Sequence, residues 1–114
     1  MQLINAMVAL RGDRYNILPK HGLTPAEVLL LQQLHGADAV MQIEPVGEVD
    51  RQPYEEVERL KALYPLQQKR VQDIWRDWPA DRFPTRIEQL GLSANMLAPA
   101  EAVQRTQLVS AKVV

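Results

Sequence analysis

The chain has 114 residues and a mass of 13.0 kDa, enough for one domain that buries about two-thirds of its unfolded surface. It is 46% hydrophobic and 24% charged with net charge −1. That balance excludes wholesale disorder and a generic polycation for nucleic acid or anionic lipid, and no apolar stretch nears the ~18 residues of a membrane span.

Cysteine is absent, which removes disulfides, thiolate nucleophiles, iron–sulfur clusters and cysteine zinc sites. The N-terminus has no basic segment followed by a long apolar one, so no secretory signal is expected. The two histidines, His21 and His35, form no metal-binding spacing, and neither metal nor cofactor is expected.

Gln2 to Leu10 is a short, mostly apolar run that reads as a strand. Arg11-Gly12-Asp13-Arg14 reads as a turn, and Tyr15 to Leu18 as a second strand stopped by Pro19. Together they predict an N-terminal hairpin. The Arg11-Gly12-Asp13 tripeptide matches an integrin-recognition sequence, but a polar turn explains it fully.

Thr24-Pro25-Ala26-Glu27 is a helix start. Thr24 caps, Pro25 suits the first position, and Glu27 is placed to reach back to the Thr24 amide. The helix runs to His35 and stops at Gly36. His35 as an imidazolium would suit the negative end of the helix dipole. Val28, Leu31 and Leu34 share a face, and Leu29 and Leu30 widen it, so this helix is expected at the centre of the fold.

Met41-Gln42-Ile43-Glu44 alternates like a half-buried strand. Pro45 confines it to an edge, and Val46 to Val49 continue it after a bulge. The first 50 residues hold three basic and six acidic side chains, and the rest hold ten and eight. The halves are therefore weakly opposite in charge.

Pro53 to Tyr64 predicts an amphipathic helix. Tyr54, Val57, Leu60 and Tyr64 form its apolar stripe, with Glu55, Glu56, Glu58 and Arg59 on the solvated face. Leu66 to Trp78 is a further helix with Val71, Ile74, Trp75 and Trp78 on one side. Pro84 to Leu90 is a short one ended by Gly91. Pro99 to Val103 allows one or two helical turns, and Leu108 to Val114 is β-prone and apolar. Such a terminus suits addition to a sheet edge, its own or a neighbour's.

Four kinds of site compete. Lys69, Arg70, Arg76, Arg82 and Arg86 interleave with Trp75, Trp78 and Phe83, as in nucleic-acid binders, but Asp73, Asp77 and Asp81 dilute the charge. Leu23 to Leu31 resembles the opening helix of winged-helix regulators, yet an acidic, strand-like stretch stands where a basic recognition helix should follow. Glu27, Glu44, Glu48 and Asp50 supply carboxylates, but nothing in their spacing fixes an acid–base pair, and no enzyme is expected. Assembly is the fourth, because two amphipathic helices and an apolar tail exceed what one small core needs.

Leu18-Pro19-Lys20-His21-Gly22-Leu23-Thr24-Pro25-Ala26-Glu27-Val28, Leu34 to Val40 and Ile43 to Glu48 resemble small proteins that tailed bacteriophages encode among their virion structural genes. The likeness covers about the first half of the chain and brings no catalytic residue. It implies a minor virion or assembly protein of the capsid or neck, present in the host cytoplasm and then in the virion.

The expected architecture is a single α+β domain. A sheet plus buried helix occupies 1–50, a mainly helical part 51–91, and an extended arm 92–114. The expected role is a non-enzymatic structural or accessory protein that binds protein, itself or other virion proteins, as an oligomer or within a larger assembly. Its contacts are expected at Val71, Ile74, Trp75 and Trp78 and at Leu108, Val109, Val113 and Val114. The alternatives are a small regulator that binds nucleic acid through Lys69, Arg70 and Arg76, and an inhibitor of a host protein.

Overall fold

The computed structural model describes residues 1–76 and 78–98. Strand β1 (Gln2–Ala9) alternates as a pleated strand must: Gln2, Ile4, Ala6 and Val8 are buried, while Leu3, Asn5 and Met7 are half-buried on the other face. It is the centre of a three-stranded antiparallel sheet of order β2-β1-β3, with β2 at Ile17–Leu23 and β3 at Val40–Glu48. The fold is therefore α+β, as composition and pattern predicted.

The first two strands form the expected hairpin. Its tip is a 3-10 turn at Leu10–Gly12, with Arg11 at φ 57° and Gly12 at φ 74°. The Asp13 carboxylate accepts from the Tyr15 amide at 2.9 Å, which closes the turn locally. Pro19 does not stop β2. It lies within the strand opposite Met7, which is tolerated because β2 is an edge.

Pro45 likewise lies within β3, the other edge, opposite Ile4. Two bulges let β3 pass. One leaves Val46 as the extra residue between Pro45 and Gly47, as expected after the proline. The other lies between the Asn5–Glu44 and Met7–Met41 pairs, where Gln42 and Ile43 oppose Ala6 alone, and Gln42 adopts φ 54°. This bulge corrects the alternation read from sequence. Met41 pairs with Met7 on the open face, while Ile43 turns into the core.

Helix α1 (Pro25–His35) starts and stops where its caps predicted. Thr24 accepts from the Glu27 amide at 3.2 Å, and Gly36 takes φ 122° at the end. Glu27 does not close a capping box; its carboxylate is taken by Arg59 and Tyr64 instead. A guanidinium offers a stronger, charge-assisted partner than a backbone amide. Val28 and Leu31 pack with Ile4, Val8, Val40 and Ile43 of the sheet, whereas Ala26 and Leu30 pack with Leu60, Val71, Trp75 and Phe83. The helix is thus a middle layer buried on two sides, which is why five apolar residues crowd its arc.

Helix α2 (Pro53–Leu63) and helix α3 (Gln68–Trp75) form the third layer, joined by a 3-10 turn at Pro65–Gln67. Two expectations change here. Tyr54 is 72% exposed rather than part of the inward stripe, and Glu56, assigned to the solvated face, is completely buried. The inward face is Glu56 with Leu60, one turn apart and rotated from the purely apolar stripe. After α3 the chain is mostly 3-10 turns, including Ile87–Leu90 closed by Gly91 at φ 64°. Gln2 pins this return: its amide donates to the Thr85 carbonyl at 2.8 Å and its side-chain oxygen accepts from the Ile87 amide at 2.8 Å.

Residues 92–98 are no free arm, since Leu92 and Met96 pack on the sheet-side core and Leu97 bridges Ile43 in parallel. The helical turns expected at 99–103 and the strand at 108–114 lie outside the described residues.

The left-handed Gln42 makes a test of the bulge. Stability by urea unfolding should rank Gln42→Gly above the parent and Gln42→Val below it, the valine losing about 1–2 kcal/mol. This order is the reverse of β propensity, which an unbulged strand would follow.

Candidate functional site

Two constellations stand out, one polar and closed, the other aromatic and open. The polar one joins α1 to α2. Glu56 accepts from Arg51 Nη1 at 2.9 Å, from Arg59 Nη2 at 2.9 Å and from the Thr24 hydroxyl. Arg59 also reaches across to Glu27 at 2.8 Å, whose other oxygen accepts from the Tyr64 hydroxyl at 2.7 Å. The planar guanidinium fork is what lets one side chain serve two carboxylates.

The electrostatics follow from this geometry. Hydrogen bonding to Glu56 raises the Arg59 pKa further, against the opposing effect of burial, and keeps its charge permanent. Burial first, then the bond to Glu27, pushes the Tyr64 phenol well above the ordinary tyrosine value. Glu56 accepts four hydrogen bonds and Glu27 two, one on each oxygen. The cluster therefore holds the two helices together.

Of the carboxylates considered for acid–base work, Glu27 is spent in this cluster. Glu44 lies on the open face of the sheet, Glu48 pairs with Arg86 at 3.0 Å, and Asp50 is exposed in the loop before α2. The structure does not bring them together. Among the described residues no group of three His, Asp or Glu side chains could hold a metal ion. No helix of the described residues is long and apolar enough to cross a membrane.

The second constellation is a groove of about 320 Å³ between α2 and α3, walled by Tyr54, Val57, Trp75, Trp78 and Phe83, with Lys61 and Arg76 at its rim. Trp75 meets Trp78 edge-on at 5.0 Å between ring centres and Phe83 at 4.8 Å. The Trp78 indole donates to the Arg82 carbonyl at 2.7 Å, which fixes the ring across the groove mouth. The Trp75 indole N–H is buried without an acceptor among the described residues. A buried donor normally finds a partner.

This geometry divides the expected contact residues. Val71 and Trp75 are buried in the core that faces α1, so a partner can touch Trp75 only along the groove wall and cannot touch Val71 without repacking. Ile74 is half-buried, and Trp78 is 40% exposed. Leu108, Val109, Val113 and Val114 lie outside the described residues. Tyr54 is the groove residue that sequence reasoning assigned to the core. The absence of an apolar side chain four residues after it was the available signal, because Glu58 stands there.

The basic residues do not form a single row. Arg76 pairs with Asp73 on the same helix, Arg70 donates to the Gln33 carbonyl at 3.3 Å, and Lys69 is exposed beside them. His35 differs from its expected role too. Its Nδ1 accepts from the Arg11 amide at 3.0 Å, and burial together with Lys20 and Arg11 lowers its pKa. It is a neutral acceptor that ties the hairpin tip to the end of α1.

Compared with known proteins, the chain matches no family model, no curated protein and no solved structure.

Removing the shared cation should be costly. Arg59→Ala should lower stability by about 3 kcal/mol or more in urea unfolding, because two buried carboxylates lose their partner. Arg59→Lys should recover only part of that, since an ammonium lacks the fork.

The lowered His35 pKa stabilises the fold above pH 6.5, and that share is lost as pH falls through 6.5 toward the folded value. The ring proton shifts of His35 should titrate below 6.5, and His35→Asn should flatten this part of the stability profile.

Proposed function

We propose that the protein is a non-enzymatic structural or accessory component that docks on a partner protein through the groove between α2 and α3. The observation that carries this reading is the open aromatic groove walled by Tyr54, Val57, Trp75, Trp78 and Phe83. Such a site favours a partner segment that inserts one apolar side chain between the rings. Tyr54 and Trp78 supply the amphipathic rims that recur at the energetic centres of interfaces. Leu63 and Leu66 are also exposed on the same layer.

The closed ion cluster supports the non-enzymatic half of the proposal, because its acids and bases are matched to each other. The phage half rests on the resemblance of residues 18–48, which implies that the partner is a capsid or neck protein of a symmetric particle. A nucleic-acid role is the weaker reading, since Arg76 and Arg70 have partners on the chain.

The test is incorporation into purified particles, measured with full-length protein and Tyr54→Glu. The Tyr54 side chain is mostly solvated, so the variant should fold with unchanged circular dichroism. Incorporation should fall at least roughly tenfold, the effect of losing ~1.4 kcal/mol or more of binding. Unchanged incorporation would exclude the groove. Binding to nucleic acid that weakens steeply with salt, and is lost in Lys69→Glu/Arg70→Glu, would instead favour the regulator.

A further inference from the structure

The hairpin tip, residues 10–16, is closed on itself. The Leu10 amide donates to the Asn16 carbonyl at 2.9 Å, the Asp13 amide to the Leu10 carbonyl at 2.9 Å, and the Asn16 amide to the Asp13 carbonyl at 3.1 Å. The Asp13 carboxylate on the Tyr15 amide adds a fourth bond. These bonds make the tip a unit that can move without coming apart.

Its attachment to α1 is of a different kind. Among the described residues one hydrogen bond makes it, from the Arg11 amide to His35 Nδ1 at 3.0 Å, between residues 24 positions apart. Gly12 lies against the same residue, since a Cβ there would stand 3.3 Å from the His35 carbonyl oxygen. Arg11 itself takes φ 57°, a left-handed conformation that residues with side chains seldom adopt. The attached tip is therefore near the margin of what its backbone favours, and one bond can decide its position.

Nδ1 accepts only while it carries no proton, which places the ring proton on Nε2. Protonation turns Nδ1 into a donor that faces another donor. The surrounding charges act in the same direction. Lys20 on β2 and Arg11 in the tip are cations whose fields oppose a further positive charge on the ring. Arg14 from the tip and Asp38 from the α1–β3 connection line the concavity of about 280 Å³ that the ring shares, and their opposite charges offset each other. The Asp13 carboxylate is taken by the Tyr15 amide. The last carbonyls of α1 favour an imidazolium, but burial of the ring, the largest influence on it, works against one.

We infer that the bond from the Arg11 amide to His35 is an acid-operated latch: protonating His35 releases residues 10–16 from the end of α1 while the three layers stay folded. The neutral ring holds the tip, and the cationic ring lets it go. The latch is closed above pH 6.5 and opens as pH falls below it through the lowered value of the folded protein. Release widens the concavity beside Gly12 and His35 and frees the exposed Arg11-Gly12-Asp13-Arg14 segment to reorient. The inference does not depend on how the groove between α2 and α3 is used.

The test follows full-length, isotope-labelled protein by NMR from about pH 7.5 to about pH 5. At the upper end the His35 ring nitrogens should report the Nε2–H tautomer. On acidification the Arg11 and Gly12 amide resonances should move with the midpoint of the His35 ring protons. The Arg11 amide should lose its protection from hydrogen exchange over the same range. The amides of Val28 and Leu31, on the buried face of α1, should keep theirs. His35→Asn brings a side-chain oxygen to the place of Nδ1 and does not titrate, so its tip should stay attached throughout, although His21 is still present. His35→Ala should leave the Arg11 amide unprotected at every pH. Arg11 protection that survives protonation of His35 would overturn the inference, as would a tip that loosens over the same range in His35→Asn. Loss of protection at Val28 and Leu31 in step with Arg11 would mean unfolding of the domain, and it too rejects the latch.

Discussion

Glu56 brings a full negative charge into the interior beside Leu60, and the architecture around it follows from keeping that charge paired. An uncompensated buried carboxylate would ionise only at a large desolvation penalty. Arg51 and Arg59 come from the same stretch of chain, one before α2 and one within it, so part of the compensation is local. The remainder is not. Thr24 and Glu27 belong to the start of α1, about thirty residues earlier, and they reach the cluster only when the two helices are docked. The cluster therefore specifies one register for α2 against α1.

That register has consequences on both sides of α1. With Glu56 and Leu60 turned inward, Tyr54 must turn outward, and the rim of the aromatic groove is set. Leu30 then meets Leu60, Val71 and Trp75, which fixes how α3 closes the third layer. On the other side, Val28 and Leu31 take the sheet. A helix packed on two faces cannot rotate to favour one without exposing the other. The ion cluster and the middle position of α1 thus reinforce each other.

The sheet solves a different problem. Three strands leave two edges, and each edge strand contains a proline that removes a donor from the exposed ladder. The bulge at Gln42 lets β3 keep Met41 outside and Ile43 inside despite an alternating sequence. It places Gln42 in a conformation that glycine would adopt with less strain. The chain then returns at Leu97 to the same strand, so the sheet is stabilised at its edge by a segment some fifty residues later.

Residues 1–98 were legible in sequence where the physics is local. Thr24-Pro25 begins a helix and Gly36 ends it because capping needs only neighbouring residues. Pro53 and Gly91 act in the same way, and apolar density alone placed α1 at the centre. The α+β class followed from these boundaries. What the tertiary structure decided was which face of each element turns inward. The sequence assigned Glu56 to solvent, Tyr54 to the core, Met41 and Ile43 to one side, and His35 to a charged cap. Three of these were reversed by a partner distant in sequence: Thr24 for Glu56, β1 for the bulge, Arg11 for His35. The groove was illegible for the same reason, since its walls come from α2, α3 and Phe83. Local geometry is written residue by residue, whereas the free energy of burying a side chain depends on what it meets, and only the folded chain brings those partners together.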